Sequence, residues 1–204
     1  MHQSVILLAF LLLSSSQVSS AQSKSQIRKI DFRNFTFPGF QDRRIILKSG
    51  KQEITRECGG TIYTLGDIAY VDLTGDRKEE ALVEVEDFSG CGSSCVSYGY
   101  YVYATKNNRP HLLWRYSTGC EGEGGLMDFR LEGMELVFEL FGKHKIVGSR
   151  TKAAGGNYGG DCCPKTYSRI RVAWDGHRFR QRSIRFFPFP YESISDYFAR
   201  RSRN

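Results

Sequence analysis

Asp175-Gly176 sits between two runs, Tyr167 to Trp174 and His177 to Ile184, in which apolar and polar residues alternate. Such a dipeptide between alternating runs marks a β-hairpin, because a type I′ turn needs positive φ at both central positions and Asp-Gly supplies them cheaply. A helix cannot use the same pattern: period two puts every second side chain on one face of a strand, whereas a helix scatters them. A two-residue turn dictates the pairs 174 with 177, 173 with 178, 172 with 179 and 171 with 180, continuing to 169 with 182. Ile170, Val172, Trp174 and Phe179 then form the core side, and Arg169, Arg171, Arg178, Arg180 and Arg182 share the opposite face.

The rest of the chain repeats this grammar. Ile68 to Val71 and Ala81 to Val85 are β-branched-rich runs around a polar loop, and Tyr98 to Thr105 and Leu112 to Tyr116 flank the turn-forming Lys106-Asn107-Asn108-Arg109. Leu126 to Leu131 and Met134 to Phe141 flank Glu132-Gly133. A two-residue turn there sets Phe129 against Leu136 and Arg130 against Glu135, matching apolar with apolar and opposite charges with each other. Helical spacing is scarce. It occurs in Ser193 to Arg201, where Ile194, Tyr197 and Phe198 share a face and a serine stands ready to cap. Two glycine-rich loops, Ser117 to Gly125 and Gly148 to Pro164, interrupt the strands. The expected fold is all-β and mainly antiparallel, a meander of hairpins forming a barrel or a sandwich, with a short C-terminal helix.

The first residues read as a targeting segment. Val5 to Leu13 is an unbroken apolar run, too short for a bilayer, which needs roughly 20 apolar residues. Ser19 and Ala21 are small residues placed for signal-peptidase cleavage before Gln22, so residues 1–21 are expected to be a signal peptide and 22–204 one β-rich domain. Export to the periplasm or the extracellular space is therefore expected. All six cysteines, Cys58, Cys91, Cys95, Cys120, Cys162 and Cys163, lie beyond that cut. An even count in an oxidising compartment favours disulfides. Cys91 can close locally onto Cys95 and Cys58 can reach Cys120, leaving Cys162 and Cys163 as a vicinal pair. Zinc held by Cys91, Cys95, Cys162 and Cys163 is the competing reading, which export disfavours because thiolates there are hard to keep reduced.

The net charge of +7 is local. Residues 165–204 carry 10 of the 29 basic residues and 3 of the 22 acidic ones, which leaves 19 of each in the remainder. Opposed arginines in the C-terminal hairpin destabilise each other unless something neutralises them. One reading assigns that to acids on a neighbouring strand, with Glu84 and Glu86 of ALVEVE suitably alternating. The other makes the five arginines an anion-binding face for a phosphate-bearing ligand, an acidic polysaccharide or an anionic membrane surface, since the planar guanidinium fork suits phosphate and carboxylate. No nucleic-acid motif accompanies the charge, so nucleic acid is not the expected partner.

Asp72-Leu73-Thr74-Gly75-Asp76-Arg77-Lys78-Glu79-Glu80 spaces oxygen ligands as a calcium loop does. Asp72, Thr74, Asp76 and Glu80 side chains and the Lys78 carbonyl would supply about five of the six to eight oxygens that calcium takes. Arg77 stands where such loops carry glycine. The competing reading is a hairpin loop held by Asx-turns, with its charges solvated.

DLTGDRKEEALV resembles the DLTGDGxxEAvV segment of uncharacterised exported bacterial proteins, and is similar to the calcium loop of FG-GAP/VCBS-type repeats. IDFRNFTFP, YVYATKNNRPHLLW, GEGGLMDF, ELVFELFG, CCP and WDGHRF match the exported family in order, and similar CCP-then-WdG features occur in LppP/LprE-type lipoproteins. The resemblance implies export and one fold without implying an activity. Arg77 replaces the family's glycine, and Cys120 stands where relatives tend to carry Asp, which implies an added disulfide.

Catalytic signatures are missing. Beyond residue 21 the histidines are His111, His144 and His177, and the chain has no HExxH, GxSxG or P-loop sequence. No carboxylate pair is singled out by its context. The expected function is an exported, non-catalytic binding or envelope-associated module without a cofactor other than calcium. A secreted hydrolase using unidentified carboxylates, an inhibitor and a structural scaffold are the alternatives.

Overall fold

The structure is a computed structural model that describes residues 25–39, 44–55, 59–90, 94–120, 123–154 and 164–201. Two 3₁₀ turns, Gln26–Lys29 and Phe32–Asn34, precede β1 (Thr36–Pro38), β2 (Arg44–Ile46) and β3 (Lys51–Thr55). Four long strands follow: β4 (Gly60–Val71), β5 (Glu80–Gly90), β6 (Ser94–Lys106) and β7 (Arg109–Ser117). Next come β8 (Leu126–Glu132), β9 (Glu135–Phe141), β10 (His144–Val147) and β11 (Arg150–Ala153). The chain ends in β12 (Thr166–Trp174), β13 (Phe179–Pro188) and the helix α1 (Ile194–Arg201).

The strands form an open sandwich, not a closed barrel. A large sheet runs β10-β11-β7-β6-β5-β4-β3 and a small one β13-β12-β9-β8, with β1 and β2 as a separate ribbon. All pairings are antiparallel except one bridge between β11 and β7, so the all-β, mainly antiparallel expectation is met. Leu82, Tyr100, Val102 and Tyr116 of the large sheet meet Leu136, Phe138, Leu140, Ile170, Val172 and Phe179 of the small one in the main core. The large sheet's other face, Ala81, Val83, Val85, Tyr101 and Tyr103, is covered by Ile27, Phe32, Phe37, Ile45 and Leu47. Burial on both faces explains why ALV in β5 is a continuous apolar run instead of an alternation. The sequence reading assigned no element to this N-terminal cover.

Two hairpins differ from the sequence reading in register. Trp174 pairs with Phe179 and not with His177, and Arg171 stands opposite Ser183 and Arg169 opposite Arg185, with a bulge after Arg171. The cause is local: the Asp175 carboxylate accepts hydrogen bonds from His177 N and Arg178 N, both at 2.9 Å, and holds a four-residue loop. Gly176 turns it with φ +99°. In the β8–β9 hairpin the turn is Gly133-Met134 and not Glu132-Gly133, so Phe129 faces Phe138 and Arg130 faces Val137. Gly133 takes the positive φ at the first turn position and Met134 does not, the type II′ pattern. At both turns the offset is two, which preserves which residues face the core; beyond the bulge the offset along β13 becomes three, so Arg185 and not Arg182 stands opposite Arg169. Asn107 and Asn108, both at positive φ, form the two-residue turn between β6 and β7.

Ser193 caps α1 as the sequence suggests. Its hydroxyl accepts from Asp196 N at 3.1 Å and donates to the Asp196 carboxylate at 2.8 Å. Tyr197 is buried with Met127 and Phe141, pinning the helix to the small sheet.

Candidate functional site

The two sheets are unequal in width, and the small one stops short. At β8, its edge, an open cleft of about 820 Å³ lies over the inner face of the large sheet, where Glu84, Glu86, Tyr98 and Tyr100 form the floor and Asp67 the far wall. Leu126, Phe129, Arg130 and Leu131 of β8 line the near wall. Period two explains the floor. Leu82, Glu84 and Glu86 share one face of β5, and Tyr100 and Tyr98 sit directly opposite the two glutamates on β6. The residue that continues the core at Leu82 becomes an acid one turn of the pleat later, where the small sheet no longer covers it.

Asp67 reaches the cleft through a bulge. The pairing of β4 with β5 slips between Leu65 and Ile68, which inserts Gly66-Asp67. A Cβ at Gly66 would lie 2.7 Å from a Glu84 carboxylate oxygen, so a larger residue there would push the Glu84 side chain aside. Tyr98 is held by reciprocal bonds with the buried Thr118: its amide donates to the Thr118 hydroxyl and its carbonyl accepts from Thr118 N, both at 2.9 Å. Tyr100 packs its ring on Phe129 and Phe138, with centroids at 4.6 and 5.1 Å. Its hydroxyl is buried in the cleft floor and closes no hydrogen bond of normal geometry. Burial first, and the Glu84 carboxylate second, push this phenol well above the usual tyrosine range, so it is held as a donor. Phe88 and Val96, cross-strand neighbours beyond Glu86, remain 39% and 38% exposed at the rim.

Two acids of this cleft stand unanswered where the charges of the neighbouring face do not. Among the described residues no ion pair reaches Asp67 or Glu86. On the outer face of the small sheet, by contrast, Arg169 binds Glu139 at 2.7 Å, and Arg171 binds Glu135 at 2.7 Å and also Glu132. Arg130 reaches Asp128 and Glu132 at 2.7 Å and Glu139 at 3.2 Å. Acids on neighbouring strands therefore neutralise these arginines, but they belong to the β8–β9 hairpin. Glu84 and Glu86, the acids named from sequence, lie on the inner face of the other sheet. Arg180 pairs with Asp175 at 2.5 Å, Arg182 donates to the Trp174 carbonyl at 2.8 Å, and Arg178 is exposed at the hairpin tip.

The acidic loop uses its oxygens on itself. Asp72 accepts from Gly75 N at 2.6 Å and Arg77 N at 2.8 Å, one on each oxygen, and Asp76 accepts from Lys78 N at 2.8 Å. Glu80, 2% exposed, accepts from Leu73 N at 2.8 Å and Thr74 N at 3.2 Å, and the Thr74 hydroxyl lies 3.5 Å from its other oxygen. Arg77 occupies the left-handed region (φ +67°) that glycine takes in calcium loops. Among the described residues no three His, Cys, Asp or Glu side chains converge as a metal requires.

Cys120 is disulfide-bonded. Cys58, Cys91, Cys162 and Cys163 lie outside the described residues, as does the Cys95 side chain. No protein-family description matches the chain, nor does any curated protein or solved structure.

Sequence reasoning placed Glu84 and Glu86 on a strand but assigned them to the arginines, and it missed Asp67, Tyr98 and Tyr100 as a group. The signal was there as two acids at core parity after Leu82. Reading it required knowing how far the second sheet extends.

Proposed function

We propose that the chain is an exported, disulfide-bearing binding module that takes a cationic ligand in the cleft beside β8. The observation that carries this is the contrast in charge pairing: Arg130, Arg169, Arg171 and Arg180 hold carboxylates of the same chain, whereas among the described residues no ion pair reaches Asp67 or Glu86 in the open cleft. Desolvating a carboxylate is favourable only when a cation or donor replaces the water, so a site built this way selects a cation. The buried Tyr100 hydroxyl adds a neutral donor, and Phe88 and Val96 add apolar surface at the rim. The anion-face reading has less behind it, since Arg169, Arg171 and Arg180 are each engaged by an acid. Among the described residues no histidine or cysteine lines the cleft, which they furnish with carboxylates and phenols. Among the described residues no helix is long and apolar enough to cross a membrane.

Titration calorimetry with tetralysine tests the reading. Binding is expected at low salt, weakened at about 0.5 M salt, where screening acts within a few ångströms, and weakened in the Asp67→Asn/Glu86→Gln variant. Equal heats from variant and wild type would remove the cleft from consideration. Export is tested separately by fractionating cells that make the full chain: material that retains residues 1–21 and stays in the cytosol contradicts it.

A further inference from the structure

The wall of the cleft opposite the acids is a strand edge. β8 is the last strand of the small sheet, and the type II′ turn fixes which of its backbone groups are spent. In a two-residue hairpin the residues flanking the turn form a hydrogen-bonded pair, and such pairs alternate along the ladder. Glu132 and Arg130 therefore bond to β9, and Leu131 and Phe129 turn their N–H and C=O outward. Both residues line the cleft. Farther along, the Met127 carbonyl is taken by the Tyr197 hydroxyl of α1. Among the described residues nothing bonds the backbone of Phe129 or Leu131 outside the ladder.

Edge strands of this kind are usually blunted by lysine, proline or a covering element, because they pair readily with any extended chain. Here α1 covers one end and the middle is left open over a row of acids. A fifth strand added beside β8 would continue the small sheet across the uncovered face of the large one. Every second side chain of that strand would point at Asp67 and Glu86, over the floor that Tyr100 forms. We infer that the cleft's ligand is an extended polypeptide segment with basic residues at alternate positions, which joins the small sheet by strand addition at Phe129 and Leu131. This rests on the cationic-ligand reading of the same cleft. Strand addition gives affinity through main-chain bonds and selectivity through alternate side chains, and charge complementarity with the floor makes that selectivity one for Lys or Arg.

The test uses the intact protein and an acetylated, amidated octapeptide of alternating Lys and Thr. Two further versions carry N-methyl groups, one on all Lys amides and one on all Thr amides. An added strand presents only one of these two sets to β8. The expected result is that the plain peptide binds, one methylated version loses at least about tenfold in affinity and the other keeps it. The Asp67→Asn/Glu86→Gln variant should also bind the plain peptide about tenfold more weakly. Two methylated peptides that bind like the plain one, or that both fail, overturn strand addition while tetralysine binding leaves the cationic cleft standing. If neither tetralysine nor the plain peptide binds, both readings fall.

Discussion

Glu132 and Glu135 stand directly opposite each other across the β8–β9 turn. Two like charges at that spacing repel, and the fold answers with Arg171, whose two terminal nitrogens take one glutamate each. Hydrogen bonds from Arg130 and Arg171 hold the Glu132 carboxyl below its ordinary range. Replacing Arg171 with Met keeps the stem and leaves the two acids facing each other. The melting temperature should fall by a few degrees at low salt and by less at high salt, since these groups are partly solvated. A depressed carboxylate contributes stability above its unfolded value of 4.5, and that contribution is lost as pH falls through the lower folded value. The gap between wild type and Arg171→Met should therefore close in acid. Calorimetric melts at neutral pH and at pH 3 check both parts, and a gap that widens in acid contradicts the assignment.

Glu80 obeys the opposite sign. It is buried at the start of β5, and desolvation, the largest effect on it, raises its carboxyl above the ordinary value despite bonds from Leu73 and Thr74. Truncation to Ala leaves the buried Leu73 amide and its neighbour without an acceptor, and should cost about 2–4 kcal/mol in urea unfolding. Glu80→Gln keeps an acceptor and removes the charge, so it should be close to neutral or stabilising at pH 7. For a carboxyl raised on folding, wild-type stability improves as pH falls through the folded value and the benefit is complete below 4.5. Wild type should thus gain on Glu80→Gln on acidification, the reverse of the Arg171 comparison.

Local chemistry in the sequence was enough for the hairpins and the core side of each strand, because the pleat repeats every two residues and Ile170, Val172 and Phe179 keep their parity through any even slip. Register was less legible. Whether Asp175-Gly176 makes a two- or four-residue connection depends on where the Asp175 carboxylate finds donors, and the turn dipeptide alone does not carry that. The N-terminal cover was invisible for a different reason: Phe32, Phe37 and Ile45 lie in pieces too short for periodicity, and only the second apolar face of β5 and β6 demands them. The cleft depends on the widths of two sheets, a property of the assembly that no single strand encodes.

Gly124 is a tight point of the glycine-rich loop after β7. Its φ is +81°, and a Cβ there would lie 2.9 Å from the His144 ring and closer still to the Thr151 methyl. Thr151 cannot retreat freely, since its hydroxyl is bonded to the Tyr116 hydroxyl at 2.5 Å and to the Ser117 carbonyl at 3.2 Å. Gly124→Ala should cost about 3 kcal/mol, combining overpacking with backbone strain. Gly133, at similar φ with nothing within 4 Å, isolates the backbone part. Gly133→Ala should cost roughly 1 kcal/mol, and equal losses at the two sites would refute the packing argument.

His144 lies against that same loop with its Nδ1 buried and without a partner, and burial lowers its pKa below 6.5. Above 6.5 both folded and unfolded chains hold a neutral ring. As pH drops through 6.5 the unfolded chain takes up the proton first, so stability declines until the folded value is reached. His144→Gln removes the titration and should flatten this decline between pH 7 and 5, as read from urea midpoints. Glu123 opposes the trend, because its charge favours the imidazolium. In Glu123→Gln the decline should continue to a lower pH, since the folded ring then resists protonation longer. A variant that stops declining earlier would show that Glu123 does not act on the ring.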